Sequence, residues 1–187
     1  MTSDDPWGWA GSVDDFLSTT RDRWIDDLSD HHVRLWGMPP AGSQRRAWLD
    51  EHGAMSAALR RCIEALPNEA PLWGVIFEYE LPMEGGRRPD VVVLAGRSLV
   101  VLEFKSSPVA SQADLDQARG YTRDLTDYHA ASHGLPSTTI VVLTGAEDDF
   151  AGIVDGTILT SSKLIDRYLY AARTDESIGL TDWLDAA

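Results

Sequence analysis

Two carboxylates and an ammonium lie in the most apolar stretch of the chain, RRPDVVVLAGRSLVVLEFKSS (87–107). The stretch predicts two buried β-strands joined by a two-residue turn at Gly96-Arg97. Glu103 and Lys105 are two residues apart on the second strand, so they point to the same face of the sheet. The short turn places Asp90 directly opposite Glu103, and like charges in that position destabilise a sheet unless something compensates them.

A bound divalent cation would compensate these carboxylates most directly, with Arg88 and Lys105 supplying part of the positive charge. Mg²⁺ or Mn²⁺ is the expected cofactor, held by Asp90, Glu103 and the backbone carbonyl of Phe104. Such an ion lowers the pKa of a bound water and stabilises negative charge at a scissile phosphate. Lys105 is predicted to position or deprotonate that water, or to neutralise the transition state. Only two of the 16 basic residues are lysines, which indicates that a lysine was selected at this position.

The periodicity around this hairpin predicts the elements that position it. Apolar residues at helical spacing predict one or two helices over 13–36 and another that begins at Ser43 as N-cap and ends at Pro67. The predicted strands are 72–81, 89–95, 98–105, 138–145 and 156–160, and the later helices are 110–134 and 162–175. Central strands that are apolar on both faces predict an α/β fold, with a mixed β-sheet flanked by helices.

Composition limits the remaining possibilities. The 187 residues include one cysteine, which excludes an internal disulfide framework. The N-terminus lacks the features of a secretory signal, and no apolar run is long enough to span a bilayer, so we expect a cytoplasmic protein without membrane contact. The net charge of −14 argues against phosphate binding, but the acidity lies mostly in 1–42 and 124–187. The central segment 43–123 is nearly neutral.

The motif residues resemble a known superfamily. Pro89-Asp90 followed by Glu103-Phe104-Lys105 is similar to the signature of the PD-(D/E)XK nucleases, and the order helix–strand–strand–strand–helix–strand is similar to their core. QARGY (117–121) resembles the QxxxY motif of the RecB-like branch. The resemblance implies a restriction-endonuclease-like fold and a divalent-metal-dependent nuclease. It also implies that Gln117 and Tyr121 help to orient DNA and the active site.

A wider resemblance covers most of the chain. SQRRAW (43–48), FEYELP (77–82), GRRPDVVVL (86–94) and QARGYTRDL (117–125) are similar to the nuclease-like domain that precedes bacterial Schlafen-type helicases. This implies a helicase domain in the same or a partner chain, and a role in a helicase–nuclease or antiviral defence protein. The expected organisation is an acidic helical N-terminal extension (1–42), a nuclease-like core (43–175) and a C-terminal tail or linker (176–187).

The expected partner is nucleic acid, with DNA favoured. Arg87, Arg88 and Arg119 are the predicted phosphate contacts. The superfamily branch often supplies one more ligand from its first helix or strand. Four residues compete for that role here, namely Glu51, His52, Glu78 and Glu80, and their spacing does not decide between them. Glu78 is the candidate because it lies in the FEYELP stretch.

Two other interpretations remain open. Asp90, Glu103 and Lys105 could form a structural ion cluster, and Tyr121 could be a core residue on the apolar stripe of its helix. At the level of function, the alternative is a catalytically inactive copy of the fold that binds protein or nucleic acid. The net charge of −14 is the main observation in its favour.

Overall fold

The computed structural model describes residues 5–81 and 86–186, and within them seven strands form one mixed sheet in the order β1-β2-β3-β4-β5-β7-β6. The strands are β1 (Trp9–Ser12), β2 (Gly74–Phe77), β3 (Val91–Ala95), β4 (Ser98–Lys105), β5 (Ser137–Leu143), β6 (Ala151–Val154) and β7 (Thr157–Thr160). Strands β1 to β4 are antiparallel to their neighbours, β4, β5 and β7 run parallel, and β6 is antiparallel to β7.

Helices cover both faces of this sheet. They are α1 (Val13–Ser18), α2 (Arg21–Trp36), α3 (Gly42–Ala65), α4 (Gln112–Tyr128), α5 (Ile165–Ala172) and α6 (Leu180–Leu184), with short 3-10 turns at Ala70–Leu72, Ala130–Ser132 and Ser162–Leu164. On one face, Val91 and Leu102 pack with residues of α1, α2, α3 and α5. On the other face, Val92 and Val101 pack with residues of α4 and α6. The sheet is therefore the middle of three layers, and its strands are apolar on both sides because both sides are covered.

The predicted α/β class is confirmed, and so is the pairing of the central hairpin as far as Val91; β3 begins there rather than at residue 89, so Asp90 lies one residue beyond the last pair. Strand β4 has the predicted bounds, and the pairing runs from Ala95↔Ser98 to Val91↔Leu102, as a two-residue turn requires. Gly96 has φ 71° and Arg97 does not have a positive φ, so glycine occupies the turn position that disfavours other residues.

Several predicted boundaries were wrong. Strand β2 ends at Phe77 rather than at residue 81, because Glu78 has φ 54° and leaves the extended conformation. Helix α3 begins at Gly42 with Ala41 as its N-cap, which makes no side-chain cap, so Ser43 is not the N-cap. Helix α4 ends at Tyr128, before a 3-10 turn. Pro82, the last residue of the FEYELP stretch, lies outside the described residues.

Three elements have no counterpart among the predicted ones, namely β1, β6 and α6. Strand β1 pairs with β2, and Trp9 and Trp24 lie in the same core as Phe77. Trp183 of α6 is fully buried against Tyr79. The N-terminal helical segment and the C-terminal tail therefore pack on the same sheet as the predicted core 43–175. None of the helices in the described ranges is long and apolar enough to cross a bilayer.

Candidate metal and active site

Asp90 lies immediately before β3, beside the end of β4. The backbone N–H of Phe104 donates a hydrogen bond to its Oδ2 at 2.6 Å, and its own carbonyl accepts the N–H of Glu78 at 3.0 Å. If the β3–β4 ladder continued, residue 89 would pair with Phe104, and its carbonyl would accept the N–H of Phe104. The carboxylate of Asp90 accepts this N–H instead, at the point where the ladder stops.

The same geometry directs the carbonyl of Phe104. The N–H and C=O of one residue in an extended strand point to the same side, as the paired exchange of bonds in an antiparallel ladder requires. Because the N–H of Phe104 points to Asp90, its carbonyl also points toward the β3 side. Because Pro89 has no N–H, the donor that a continuing ladder would supply to the carbonyl of Phe104 is missing. The predicted metal-binding carbonyl thus faces the predicted carboxylate.

Lys105 connects the sheet to α4 through a chain of hydrogen bonds. Its Nζ lies 3.0 Å from Oε1 of Glu103 and 3.0 Å from Oε1 of Gln117. The amide nitrogen of Gln117 donates to the hydroxyl of Tyr121 at 2.8 Å. All four side chains are at least half-buried, so four of the predicted residues form one continuous polar group.

Asp114 belongs to this group and has no place among the predicted site residues. Its Oδ1 lies 3.5 Å from the Nζ of Lys105, while its Oδ2 accepts from the backbone and hydroxyl of Ser111. The pair forms the capping box that begins α4. The sequence pattern Ser-x-x-Asp could have signalled the start of the helix, and with it the carboxylate next to the end of β4.

Glu78 is fully engaged by its neighbours. The indole Nε1 of Trp48 donates to its Oε1 at 2.7 Å, and Nε of Arg88 donates to its Oε2. The carboxylate is buried, and the left-handed backbone at Glu78 turns the chain at the end of β2. Glu78 is thus held by two donors, Trp48 on α3 and Arg88 in the segment before β3. The sequence spacing did not indicate this contact of Trp48 with the site.

Two of the four competitors for the extra ligand role, Glu51 and His52 of α3, have a buried atom without a hydrogen-bond partner among the described residues. In Glu51, which is buried, this atom is the carboxylate Oε2. Glu80 forms an ion pair with Arg34 at 2.5 Å, and His52 packs on the aromatic rings of the core. Glu51 is therefore the carboxylate with an unpaired oxygen, whereas the sequence favoured Glu78 as the additional metal ligand.

Four carboxylates, those of Glu51, Glu78, Asp90 and Glu103, share one electrostatic environment. Burial raises the pKa of Glu51, and the charges of Asp90, Glu78 and Glu103 raise it further. Burial also raises the pKa of Asp90, with Glu103 as the next cause. For Glu103, burial raises the pKa although Lys105 opposes the shift. Each carboxylate makes the negative form of its neighbours less favourable.

Two of the four carboxylates are paired with a cation. Arg88 pairs with Glu78, and Lys105 pairs with Glu103, while Glu51 and Asp90 have no ion pair among the described residues. Among the residues that the structure describes, neither Oε2 of Glu103 nor Oε2 of Glu51 has a hydrogen-bond partner, and both atoms are buried. Burial disfavours the charged form of Lys105, but Glu103 and Asp90 outweigh it and raise its pKa. This favours a protonated Lys105 that stabilises negative charge over one that removes a proton from water.

A divalent ion of the magnesium type fits this donor set. No three His, Cys, Asp or Glu side chains in 5–81 and 86–186 form a ready group of ligands for one ion. Mg²⁺, however, commonly takes one or two carboxylates and completes its shell with water and substrate phosphate. Asp90, Glu103 and the Phe104 carbonyl meet that requirement, and Glu51 contributes the nearby unpaired oxygen.

The arginines that were predicted to contact phosphate lie in two different places. Nη1 of Arg87 lies 3.3 Å from Oδ2 of Asp124, and its guanidinium lies 5.2 Å from the ring centre of Tyr121. Arg119 points away from this region, since it donates to Thr157 at 2.8 Å and to the carbonyl of Val154 at 3.1 Å. Arg119 thus holds the β6–β7 hairpin against α4, and its contact with phosphate stays a prediction.

Comparison of the chain with protein-family models, with curated proteins and with solved structures found no match in any of the three.

Proposed function

We propose that the chain is a divalent-metal-dependent nuclease that hydrolyses phosphodiester bonds, with DNA as the favoured substrate. The observation that carries the proposal is a cluster of four carboxylates where β2, β3 and β4 meet, in which Glu51 and Asp90 have no ion pair among the described residues. Two of these carboxylates, Glu51 and Glu103, keep an unpartnered buried oxygen. A purely structural cluster would be expected to satisfy its buried groups, because an unpaired buried charge is strongly destabilising.

Asp90, Glu103 and the Phe104 carbonyl would hold Mg²⁺ or Mn²⁺, and the ion would supply a water of lowered pKa and positive charge beside the scissile phosphate. Lys105 stands next to this group as a protonated hydrogen-bond donor and can stabilise negative charge on the phosphate. Gln117 holds Lys105 from α4, and Tyr121 in turn orients Gln117. Glu78 keeps Arg88 beside the site.

The finer fold assignment belongs to the same proposal. A restriction-endonuclease-like core agrees with the antiparallel β2–β3–β4 strands, the helix α4 after β4 and the parallel strand β5 that follows. We further propose, from the motifs alone, that the domain works with a helicase in the same or a partner chain, in a helicase–nuclease or antiviral defence system.

The test is cleavage of labelled DNA and RNA, single- and double-stranded, in Mg²⁺ or Mn²⁺. Lys163→Ala is a matched control, because Lys163 is the other lysine and its side chain makes no ion pair with any described residue. We expect wild type and Lys163→Ala to cleave, and Lys105→Ala to lose at least a hundredfold in rate. Equal rates for Lys105→Ala and wild type would contradict the proposal.

A catalytically inactive binding module is the second candidate. It is favoured by the net charge of −14 and by the saturation of Lys105, whose ammonium already contacts Glu103, Gln117 and Asp114. This candidate predicts no cleavage of any substrate by the wild type in either metal ion, together with measurable binding of a protein or nucleic acid partner.

A further inference from the structure

An exposed apolar patch lies at the C-terminal end of α2, next to the site. It consists of Val33, Trp36 and Met38, whose exposed fractions are 42%, 50% and 61%. A half-exposed tryptophan is unusual in this chain, since Trp24, Trp48 and Trp183 are almost completely buried. Nothing in the packing of the sheet requires an indole at the surface here.

The indole of Trp36 is held in place on part of its surface. The guanidinium of Arg88 lies over the ring at 5.8 Å from its centre. Gly86 lies beside the ring, since a Cβ at that position would be in van der Waals contact with two of its atoms at 3.4 Å. Gly86 has φ 85°, a conformation that glycine adopts readily. The ring is therefore positioned by its neighbours while half of its surface remains open.

The patch is connected directly to the carboxylate cluster. Arg88 contacts Trp36 with its guanidinium and binds Glu78 with its Nε. His32 lies between two indoles, with its ring centre 6.5 Å from that of Trp36 and 6.0 Å from that of Trp48. Trp48 in turn donates to Glu78. A single arginine side chain thus separates the open indole from the cluster that would hold the metal ion.

We infer that Trp36 is a stacking platform for an unpaired nucleobase and that the substrate is single-stranded nucleic acid. This inference rests on the proposed nuclease function. An aromatic ring with an arginine beside it is the usual combination in proteins that bind single strands, because every base has a face on which to stack. A duplex offers no free base face at such a ring, except where its end is frayed.

The charge of the protein limits how a strand can be held. With a net charge of −14, the chain gains little long-range attraction for the phosphates of a single strand or of a duplex. Stacking does not depend on positive potential and can supply affinity where phosphate contacts are few. Arg88 positions the ring for such stacking, since its guanidinium lies over the indole while its Nε binds Glu78.

The test measures binding rather than cleavage. Lys105→Ala protein, which should not cut the strand, is titrated in Mg²⁺ against a labelled oligothymidylate and against a duplex of equal length, by fluorescence anisotropy. Adding Trp36→Ala should weaken single-strand binding by about 5- to 150-fold, the range for loss of one aromatic stacking partner. Duplex binding should not change, and Trp36→Phe should retain most of the affinity.

Tyr170→Ala is the matched control. Tyr170 is also a partly exposed aromatic residue, 43% exposed, with a guanidinium, that of Arg173, at 4.2 Å from its ring centre. Tyr170 lies on α5, which packs beside Cys62 of α3. Cys62 is about 21 Å along α3 from Trp48, so Tyr170 is remote from the site around Trp48. Tyr170→Ala should leave single-strand binding unchanged, and circular dichroism should confirm that each variant folds.

The inference and the proposed function can fail separately. Unchanged single-strand binding by the Trp36→Ala variant, or no single-strand binding by its Lys105→Ala parent, overturns the platform even if wild type cleaves. A loss of single-strand binding on Trp36→Ala supports the platform even if wild type cleaves nothing, and in that case only the nuclease proposal fails.

Discussion

The indole N–H of Trp48 donates a hydrogen bond of 2.7 Å to Oε1 of Glu78 and so ties α3 to the end of β2. Both residues are buried, and Glu78 has a left-handed backbone conformation at φ 54°. The bond keeps a carboxylate in place at the point where the chain leaves the sheet. The arginine that reaches the exposed Trp36 is anchored on the same carboxylate.

We predict that Trp48→Phe destabilises the fold more than Trp24→Phe does. Both indoles are almost completely buried, but Nε1 of Trp24 has no hydrogen-bond partner among the described residues. The two substitutions remove similar volume, so the difference reports the lost bond to Glu78, which we expect to be about 1–3 kcal/mol. Urea unfolding of both variants provides the measurement, and equal unfolding free energies would show that the bond to Glu78 contributes nothing.

Divalent ions should stabilise the protein through the carboxylate cluster. At a Mg²⁺ concentration a hundred times its dissociation constant, the free energy of unfolding should rise by about 2.7 kcal/mol. Asp90→Asn should abolish most of this gain, because it removes a ligand charge while the amide oxygen can still accept the N–H of Phe104. Thermal unfolding with and without Mg²⁺ provides the measurement.

For the same variant we predict the opposite effect on stability when a chelator removes the divalent ions. Without divalent ions, Asp90→Asn should be more stable than wild type, because it removes a carboxyl whose pKa is raised by burial and, next, by the charge of Glu103, and because it relieves the repulsion on Glu51. A variant that is less stable than wild type in both conditions would indicate that Asp90 acts only as a structural acceptor.

Gly96→Ala should be more destabilising than Gly156→Ala. Both glycines lie in hairpin turns at positive φ, 71° and 80° respectively, so alanine should suffer a similar backbone strain of about 1–2 kcal/mol at either position. A Cβ at Gly96 would also lie 2.2 Å from the carbonyl of Thr174, whereas a Cβ at Gly156 meets nothing within 4 Å. A larger fall in the melting temperature for Gly96→Ala is the expected result, and equal falls would show that residue 174 moves away at no cost.

The stability of the fold should decrease in mild acid because of His129. Its imidazole is buried and stacks on Trp183 at a centre distance of 4.0 Å, and burial lowers its pKa to about 4. Since the unfolded state binds the proton with a pKa near 6.5, the contribution to stability is fully present above that value and is lost progressively as the pH falls toward 4.

His129→Gln, which cannot titrate, tests this pH dependence. Between pH 7 and pH 5 the wild type should lose about 2 kcal/mol more than the variant does. Urea midpoints at the two pH values provide the measurement. Other groups, among them His31 with its similarly lowered pKa, affect both proteins alike and cancel in the comparison. Parallel losses in the two proteins would exclude His129 as the source.

The sequence by itself determined those features that depend on neighbouring residues. The two-residue turn at Gly96-Arg97 and the period of two along a strand are local, and they were sufficient to predict the pairing of β3 with β4. The spacing of Gln117 and Tyr121 likewise placed them one helical turn apart on α4, where they bond. Strand β6 had a local signal that was missed, since Asp155-Gly156 is a favourable hairpin turn with φ of 47° and 80°.

Only the tertiary structure decided which distant residues meet at the end of the sheet. In the sequence, Glu51 and Glu78 competed for the role of extra ligand and Glu78 was the candidate, but Trp48 and Arg88 engage Glu78 while Glu51 keeps an oxygen without a partner among the described residues. Arg119 is bound to β7 rather than directed to the carboxylates. Burial and charge balance depend on how helices pack on both faces of the sheet. They arise from contacts between residues far apart in the chain, which no local pattern records.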